Sequence, residues 1–260
     1  MNRLLLETAT DVCSVAVAQD GNIIAQRAAK EVHQHASHLT VFIGEALAEA
    51  GVAAQDLSEI VLSDGPGSYT SLRVGAATAK GLCLALPHLR LVTVPTLLSL
   101  AVAAENSATV LAVINSRRGE VFGQVFPPVI TGGQEGARIP SRHESIALLR
   151  GPQNIRLTQE GWWDDLLRAT ETREFVICGP GQDRLRDYLP EDAAGVRFGS
   201  PSHCAAPLLL APALRRPIDH DAAERESWST SVPKVVDVAA YEPFYLNPPF
   251  VTKSTKKPLL

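Results

Sequence analysis

The spacing of apolar positions changes period several times along the chain, and each change marks an element. Arg3–Thr8 is nearly continuous apolar sequence and predicts a buried strand, with further strands at Val12–Ala18 and Asn22–Arg27. Between the last two lies Asp20-Gly21, a hairpin pair, because glycine accepts positive φ without a Cβ clash. The period then becomes helical. Leu39, Phe42, Ile43, Ala46, Leu47 and Ala50 recur on one face of an α-helix that Gly51 is suited to stop. Glu59–Ser63 predicts a strand, Gly65-Pro66-Gly67-Ser68 a loop, and Tyr69–Ala85 a second helix. Leu91–Val94 predicts a strand ended by Pro95, and Thr96–Ala104 a third helix.

The second half begins in the same way. Thr109–Ser116 and Glu120–Phe126 predict a hairpin about Arg117-Arg118-Gly119. Pro127–Ser141 is a loop-rich excursion in which no element is assigned. Glu174–Cys178 predicts a strand, Gly179-Pro180-Gly181 a loop, Gln182–Leu189 a helix and Ser202–Arg216 a last helix. In each half a strand runs into Gly-Pro-Gly and then a helix, at Val61–Gly67 and again at Phe175–Gly181. That echo predicts two related α/β lobes. The proline-rich stretch from Asp219 to Leu260 is expected to be an extended segment, part of which docks through Tyr241, Phe244, Tyr245 and Phe250.

Composition narrows the function classes. The 260 residues carry a net charge of -4, with 45% hydrophobic, 20% charged and 5% aromatic side chains. A chain of this length has room for two lobes, but it has neither the basic field of an independent nucleic-acid binder nor a base-stacking surface. Cys13, Cys83, Cys178 and Cys204 form no CxxC pair and are expected to be reduced thiols of a cytoplasmic protein. The first residues do not resemble a signal peptide, and no membrane contact is expected. The longest apolar tract, Ala205–Leu214, is broken by Pro207 and Pro212 and falls short of the ~18 residues of a spanning helix.

Candidate chemistry is concentrated in two loops. A Gly-rich turn between strand and helix, Asp64 to Arg73, either points backbone N–H groups at a phosphate or is a tight turn. It lacks the lysine of a P-loop. Glu7-Thr8-Ala9-Thr10-Asp11 stands where actin and sugar-kinase proteins hold Mg²⁺ and phosphate, yet Ala9 replaces the glycine that lets backbone approach a phosphate. His33, His35 and His38 are spaced by two and three rather than the four of a helical metal pair, as at a solvated helix start. Both early helices carry small residues, Ala36, Thr40 and Gly44 on one and Ser71, Gly75 and Ala79 on the other. Mid-helix glycine costs ~1 kcal/mol against alanine, so close helix approach is expected to offset it, within the subunit or between subunits.

Gly65-Pro66-Gly67-Ser68-Tyr69-Thr70-Ser71-Leu72-Arg73-Val74-Gly75 resembles the GPGSFTGLRIG signature of the TsaB (YeaZ) family. Ser116-Arg117-Arg118-Gly119-Glu120-Val121-Phe122 is similar to its DARRGEVY hairpin, with Asn115 at the usual Asp. Glu7-Thr8-Ala9-Thr10 resembles its DTST start, and Glu242-Pro243-Phe244-Tyr245-Leu246 its C-terminal P-x-YLR ending. The resemblance implies two RNase H-like lobes of the actin/Hsp70/sugar-kinase type. The first lobe would take residues 1–103 plus a returning helix near 202–217, the second residues 104–201, with 219–260 as the extended tail. It implies no catalytic, cofactor or metal residue on this chain, with metal and ATP on partner proteins. Those partners would be a TsaD-like paralogue that transfers threonylcarbamoyl to the tRNA adenosine beside the anticodon, and a TsaE-like ATPase. Transfer RNA would be met only through the complex, and the isolated chain would pair with itself. The two early helices would form the partner surface. An ATP-dependent phosphotransferase or ATPase of the same fold is the alternative, and peptidase chemistry has no residues here to support it.

Overall fold

The computed structural model describes residues 1–29, 35–104, 108–128, 151–170, 172–214 and 232–247, with side chains described from His38 onward in the first helix. Three antiparallel strands open the chain: β1 (Asn2–Glu7), β2 (Cys13–Gln19) and β3 (Asn22–Ala29). Asp20 and Gly21 join the last two with φ of 50° and 86°, the positive values a two-residue hairpin needs. Helix α1 (His35–Ala50) ends at Gly51, whose φ is 63°. The chain then enters β4 (Leu57–Ser63), α2 (Tyr69–Ala85), β5 (Arg90–Val94) and α3 (Thr96–Ala103). Strands β4 and β5 run parallel to β1, since a helix intervenes before each of them.

The same plan repeats. Strands β6 (Thr109–Asn115), β7 (Glu120–Phe126) and β8 (Gln153–Arg156) form a meander. Helix α4 (Trp162–Thr170), β9 (Phe175–Cys178), α5 (Gln182–Arg186) and β10 (Val196–Phe198) follow, with β9 and β10 parallel to β6. A 3-10 turn at Ala206–Leu209 leads into α6 (Leu210–Leu214), and β11 (Lys234–Val236) pairs antiparallel with β5. The sheets are ordered β11-β5-β4-β1-β2-β3 and β10-β9-β6-β7-β8. Without β11 both have the RNase H order, three meandering strands followed by two parallel ones on the other side of the first.

Alternation along the strands sorts the core. Leu4, Leu6, Val15, Val17, Ile60 and Leu62 face α1 and α2, meeting Leu39, Ala46 and Ala79. Their neighbours Leu5, Ala16, Val61 and Val92 face Ala206, Leu209 and Ala213 on the opposite side. In the second sheet Val110, Ala112 and Ile114 meet Leu97 and Leu100 of α3, while Leu111 and Val113 meet Trp163, Phe175 and Leu185.

Two expectations change. The expected helix Ser202–Arg216 is confined, among the described residues, to the 3-10 turn and α6. Proline cannot donate its backbone N–H, and Pro207 and Pro212 divide the segment. The segment after Asp219 contributes a strand, β11, as well as extended chain. The excursion Pro127–Ser141 lies almost wholly outside the described residues.

Candidate functional site

The two lobes enclose a cleft of about 460 Å³, lined by Ala9, Thr10 and Asp11, Gly67, Ser68, Tyr69 and Ser71, Asn115, Ser116 and Arg117, and Tyr245 to Asn247, with Phe122 and Pro180. It is the place where a fold of this order can hold a ligand, and both candidate loops border it. They are stitched together. The Ser68 N–H donates to the Ala9 carbonyl at 2.7 Å. A Cβ on Gly67 would lie 2.3 Å from that carbonyl oxygen and 2.8 Å from the Ala9 Cβ. The strand turn and the Gly-rich loop are therefore in backbone contact at the edge of the cleft.

Glu7 is spent in the same junction. Its Oε1 accepts the Ala9 N–H at 2.7 Å and the Ser63 hydroxyl at 2.9 Å, and the residue is completely buried. Burial pushes its pKa from 4.5 up to about 7 against those two hydrogen bonds. The carboxylate props a turn rather than facing the cleft, where Asp11 is the exposed acid. Beneath the loop, Thr8 and Gly75 touch closely: a Cβ on Gly75 would lie 2.4 Å from Thr8 Oγ1.

The signature loop also grips the C-terminal segment. Asp64 is buried, its Oδ1 accepting the Tyr241 hydroxyl at 3.0 Å and its carbonyl the Phe244 N–H at 2.9 Å. Lys234 Nζ stands 3.9 Å from Asp64 Oδ2. Burial raises the Asp64 pKa, opposed by Lys234 and these hydrogen bonds. Gly65, at φ 110°, lets the Phe244 carbonyl approach to 2.4 Å from where a Cβ would stand. Tyr69 and Tyr245 meet at 4.6 Å between ring centroids, Arg73 lies 4.3 Å over Tyr69, and its Nε donates to the Tyr245 hydroxyl at 3.3 Å. Pro66 is buried, whereas Ser68 and Thr70 are exposed at the start of α2, where the Ser68 hydroxyl accepts the Ser71 N–H.

The second lobe repeats the stitching. Gly181 N–H donates to the Val113 carbonyl at 3.1 Å, and Asn115 Nδ2 to the Pro180 carbonyl at 3.0 Å. An amide can make that second bond and a carboxylate cannot, which accounts for Asn115. Arg184 Nη1 donates to the carbonyls of Ser116, Arg117 and Glu120 at 3.1, 2.8 and 2.9 Å and so fixes the turn. Nothing in the local sequence sets Arg184 apart from Arg186. Arg117 and Arg118 are exposed, Gly119 turns with φ 71°, and Glu120 Oε2 accepts the Asn154 amide at 2.7 Å.

The small-residue surface is corrected in part. Ser71, Gly75 and Ala79 are buried in their own lobe, so this side of α2 is internal packing. The outward stripe of α2 is Arg73, Ala77, Gly81 and Leu84, the last 75% exposed. On α1, Thr40, Val41, Gly44 and Ala48 are exposed, while Leu39, Ile43 and Ala46 are buried. Among the described residues, a Cβ on Gly44 or Gly81 would meet nothing within 4 Å. The side chain of Ala36 and all of His33 lie outside the described residues; His38 stacks on Phe42 with centroids 5.4 Å apart. Among the described residues no cluster of His, Cys, Asp or Glu could hold a metal, and no helix is long and apolar enough to cross a membrane. All four cysteines are free and buried, and burial pushes the Cys178 thiol up to about 12.

Duplicated RNase H-like sheets about a cleft define a two-lobed α/β protein of the actin, Hsp70 and sugar-kinase class. The family model described as TsaD, tRNA N6-adenosine threonylcarbamoyltransferase, matches residues 17–188. The tRNA threonylcarbamoyladenosine biosynthesis protein TsaB of Escherichia coli is 35% identical over 125 residues, 47% of this chain and 53% of that protein. The TsaB of Haemophilus influenzae is 32% identical over 126 residues, 46% of this chain and 51% of that one. The chain thus spans about half the length of the curated relatives it matches. The fold of YeaZ from Pseudomonas aeruginosa superposes over 94% of this chain and 99% of its own, with 23% identity and a TM-score of 0.64. The chain belongs to this family, in its TsaB (YeaZ) branch.

Proposed function

We propose that this chain is a non-catalytic subunit in tRNA threonylcarbamoyladenosine biosynthesis, which binds and organises a TsaD-like threonylcarbamoyltransferase. The observation that carries the reading is the closed junction of Ala9 and Gly67. In a phosphotransferase these two loops would be expected to present free backbone N–H groups to a phosphate, whereas here the Ser68 N–H is taken by the Ala9 carbonyl and the Ala9 methyl group stands where a glycine would leave room. The acid, Glu7, is turned to structural use. Both features weigh against the alternative phosphotransferase reading.

The outward faces of α1 and α2 support a partner surface. Gly75 has a reason within the chain, because Thr8 crowds it. Gly44 and Gly81 have none among the described residues, although each costs its helix about 1 kcal/mol. With Thr40, Val41, Ala48, Ala77 and Leu84 they form a small, largely apolar face on which two helices of another protein can sit closely. A TsaD-like paralogue is the proposed occupant, and a second copy of this chain takes its place in isolation. A TsaE-like ATPase joins the pair, and tRNA is held by the assembly in the cytoplasm. ATP and metal belong to the partners.

Thr40→Arg tests the surface. An exposed change costs the fold within about 0.5 kcal/mol, whereas a desolvated unpaired charge costs an interface several. The variant is expected to melt as the parent does and to fail to form the complex in light scattering with the paralogue. A variant that melts normally and still pairs places the interface elsewhere. Calorimetry of the isolated chain with Mg-ATP is expected to give no binding heat, and saturable binding would favour the phosphotransferase.

A further inference from the structure

Among the described residues the chain crosses between the lobes twice, from α3 into β6 and from β10 into residues 206–214. Two crossings can serve as an axis about which lobes swing, with Leu97 and Leu100 of α3 packed on the second sheet beside it. Residues 234–247 make a third attachment. Strand β11 extends the first sheet beside β5. Lys80 donates to the carbonyls of Ala239 and Tyr241 at 3.2 and 3.0 Å, and Tyr241 joins the apolar core under α1 and α2. Asp64 then holds Tyr241 and Phe244. Past Tyr245 the segment leaves the first lobe, and Leu246 packs on the cluster of Leu100, Ile114, Phe122 and Cys178 that belongs to α3 and the second sheet. Tyr245, Leu246 and Asn247 line the cleft together with Asn115 to Arg117.

We propose that residues 234–247 are a strap that holds the two lobes at one fixed angle, latched to the first lobe at Asp64 and to the second through Leu246. The strap suits a protein with no need to close on a substrate, but it rests on its own contacts and not on the identity of any partner. It gives Asp64 and the signature residues Gly65, Tyr69 and Arg73 a shared role, since all four touch the strap.

The test measures the width of the cleft in the full chain. Asp11 and Arg118 are exposed and stand on opposite lobes near the cleft, and the native cysteines are buried. Spin labels at Asp11→Cys and Arg118→Cys therefore report interlobe distance by pulsed resonance. The parent is expected to give one narrow distance. Leu246→Ala and Asp64→Asn are each expected to broaden it and shift it to longer values. Leu246→Ala leaves every contact of Asp64 in place, so it reports on the strap even where the latch variant fails to fold. A folded Leu246→Ala protein with the parent's distance distribution would overturn the proposal, and so would a broad distribution in the parent.

Discussion

Replacing Glu7 with Gln separates a structural carboxylate from a catalytic one. Burial holds the folded-state pKa at about 7, against 4.5 for the ordinary group. Between those values the folded protein keeps a proton that the unfolded chain has released. Stability therefore falls as pH rises from 4.5 towards 7 and then levels off. At about 1.4 kcal/mol per unit the displacement is worth roughly 3 kcal/mol. The glutamine keeps an oxygen for the Ala9 N–H and the Ser63 hydroxyl and carries no charge to desolvate, but its amide nitrogen replaces Oε2, which is buried with no partner among the described residues, at a pH-independent cost of about 1–3 kcal/mol. Near pH 4.5 the variant should therefore melt below wild type. As pH rises past 7 the difference should move in the variant's favour by roughly 6–12 °C at about 2–4 °C per kcal/mol. The assay is thermal melting by circular dichroism at constant ionic strength from pH 4.5 to 8.5. A difference that does not change with pH, or that moves in favour of wild type as pH rises, would refute the reasoning.

Three further outcomes follow from the packing. Gly81→Ala should raise the stability of the isolated chain by about 1 kcal/mol, because its Cβ enters open space on a helix. Gly75→Ala should lower it by about 1–3 kcal/mol, because its Cβ meets the Thr8 hydroxyl; denaturant midpoints of the pair decide, and equal shifts would contradict the assignment of the two faces. Tyr241→Phe leaves the buried Asp64 carboxylate without its hydroxyl partner and should cost about 1–3 kcal/mol in the same measurement, a neutral result counting against the latch.

The first half of the fold is legible in the sequence because its elements have one strong period each. The apolar repeat and the Ser68 cap mark α2 at Tyr69–Ala85, and Asp20-Gly21 marks the hairpin. Helix α4 falls in a stretch in which no element is assigned from the sequence: it is only nine residues long, although its buried Trp162, Trp163 and Thr170 and exposed Asp164, Asp165 and Arg168 give it two distinct faces, and Trp163 packs it on Leu111 and Phe175. Ser202–Arg216 has the apolar content of one helix, but Pro207 and Pro212 each withhold a backbone N–H, and the described helical chain is a 3-10 turn at Ala206–Leu209 leading into the short α6. On the site, Ala9 and Gly67 were legible as residue types, but not their contact. The ridge on α2 was ambiguous because small residues lie on two of its sides, at Gly75 and Ala79 and at Ala77 and Gly81. Which side faces inward is decided by Thr8, 67 positions away in sequence from Gly75, and by Leu62.

The most direct test of a non-catalytic partner subunit is reconstitution. The purified chain, a TsaD-like paralogue and a TsaE-like ATPase from one genome are mixed with unmodified tRNA and threonylcarbamoyl-adenylate, and modified adenosine is measured with each protein omitted in turn. The account predicts no product from this chain alone, product from the full mixture, and loss of that product when this chain is left out or carries Thr40→Arg. Modification of tRNA by this chain alone, or undiminished product in its absence, would contradict it.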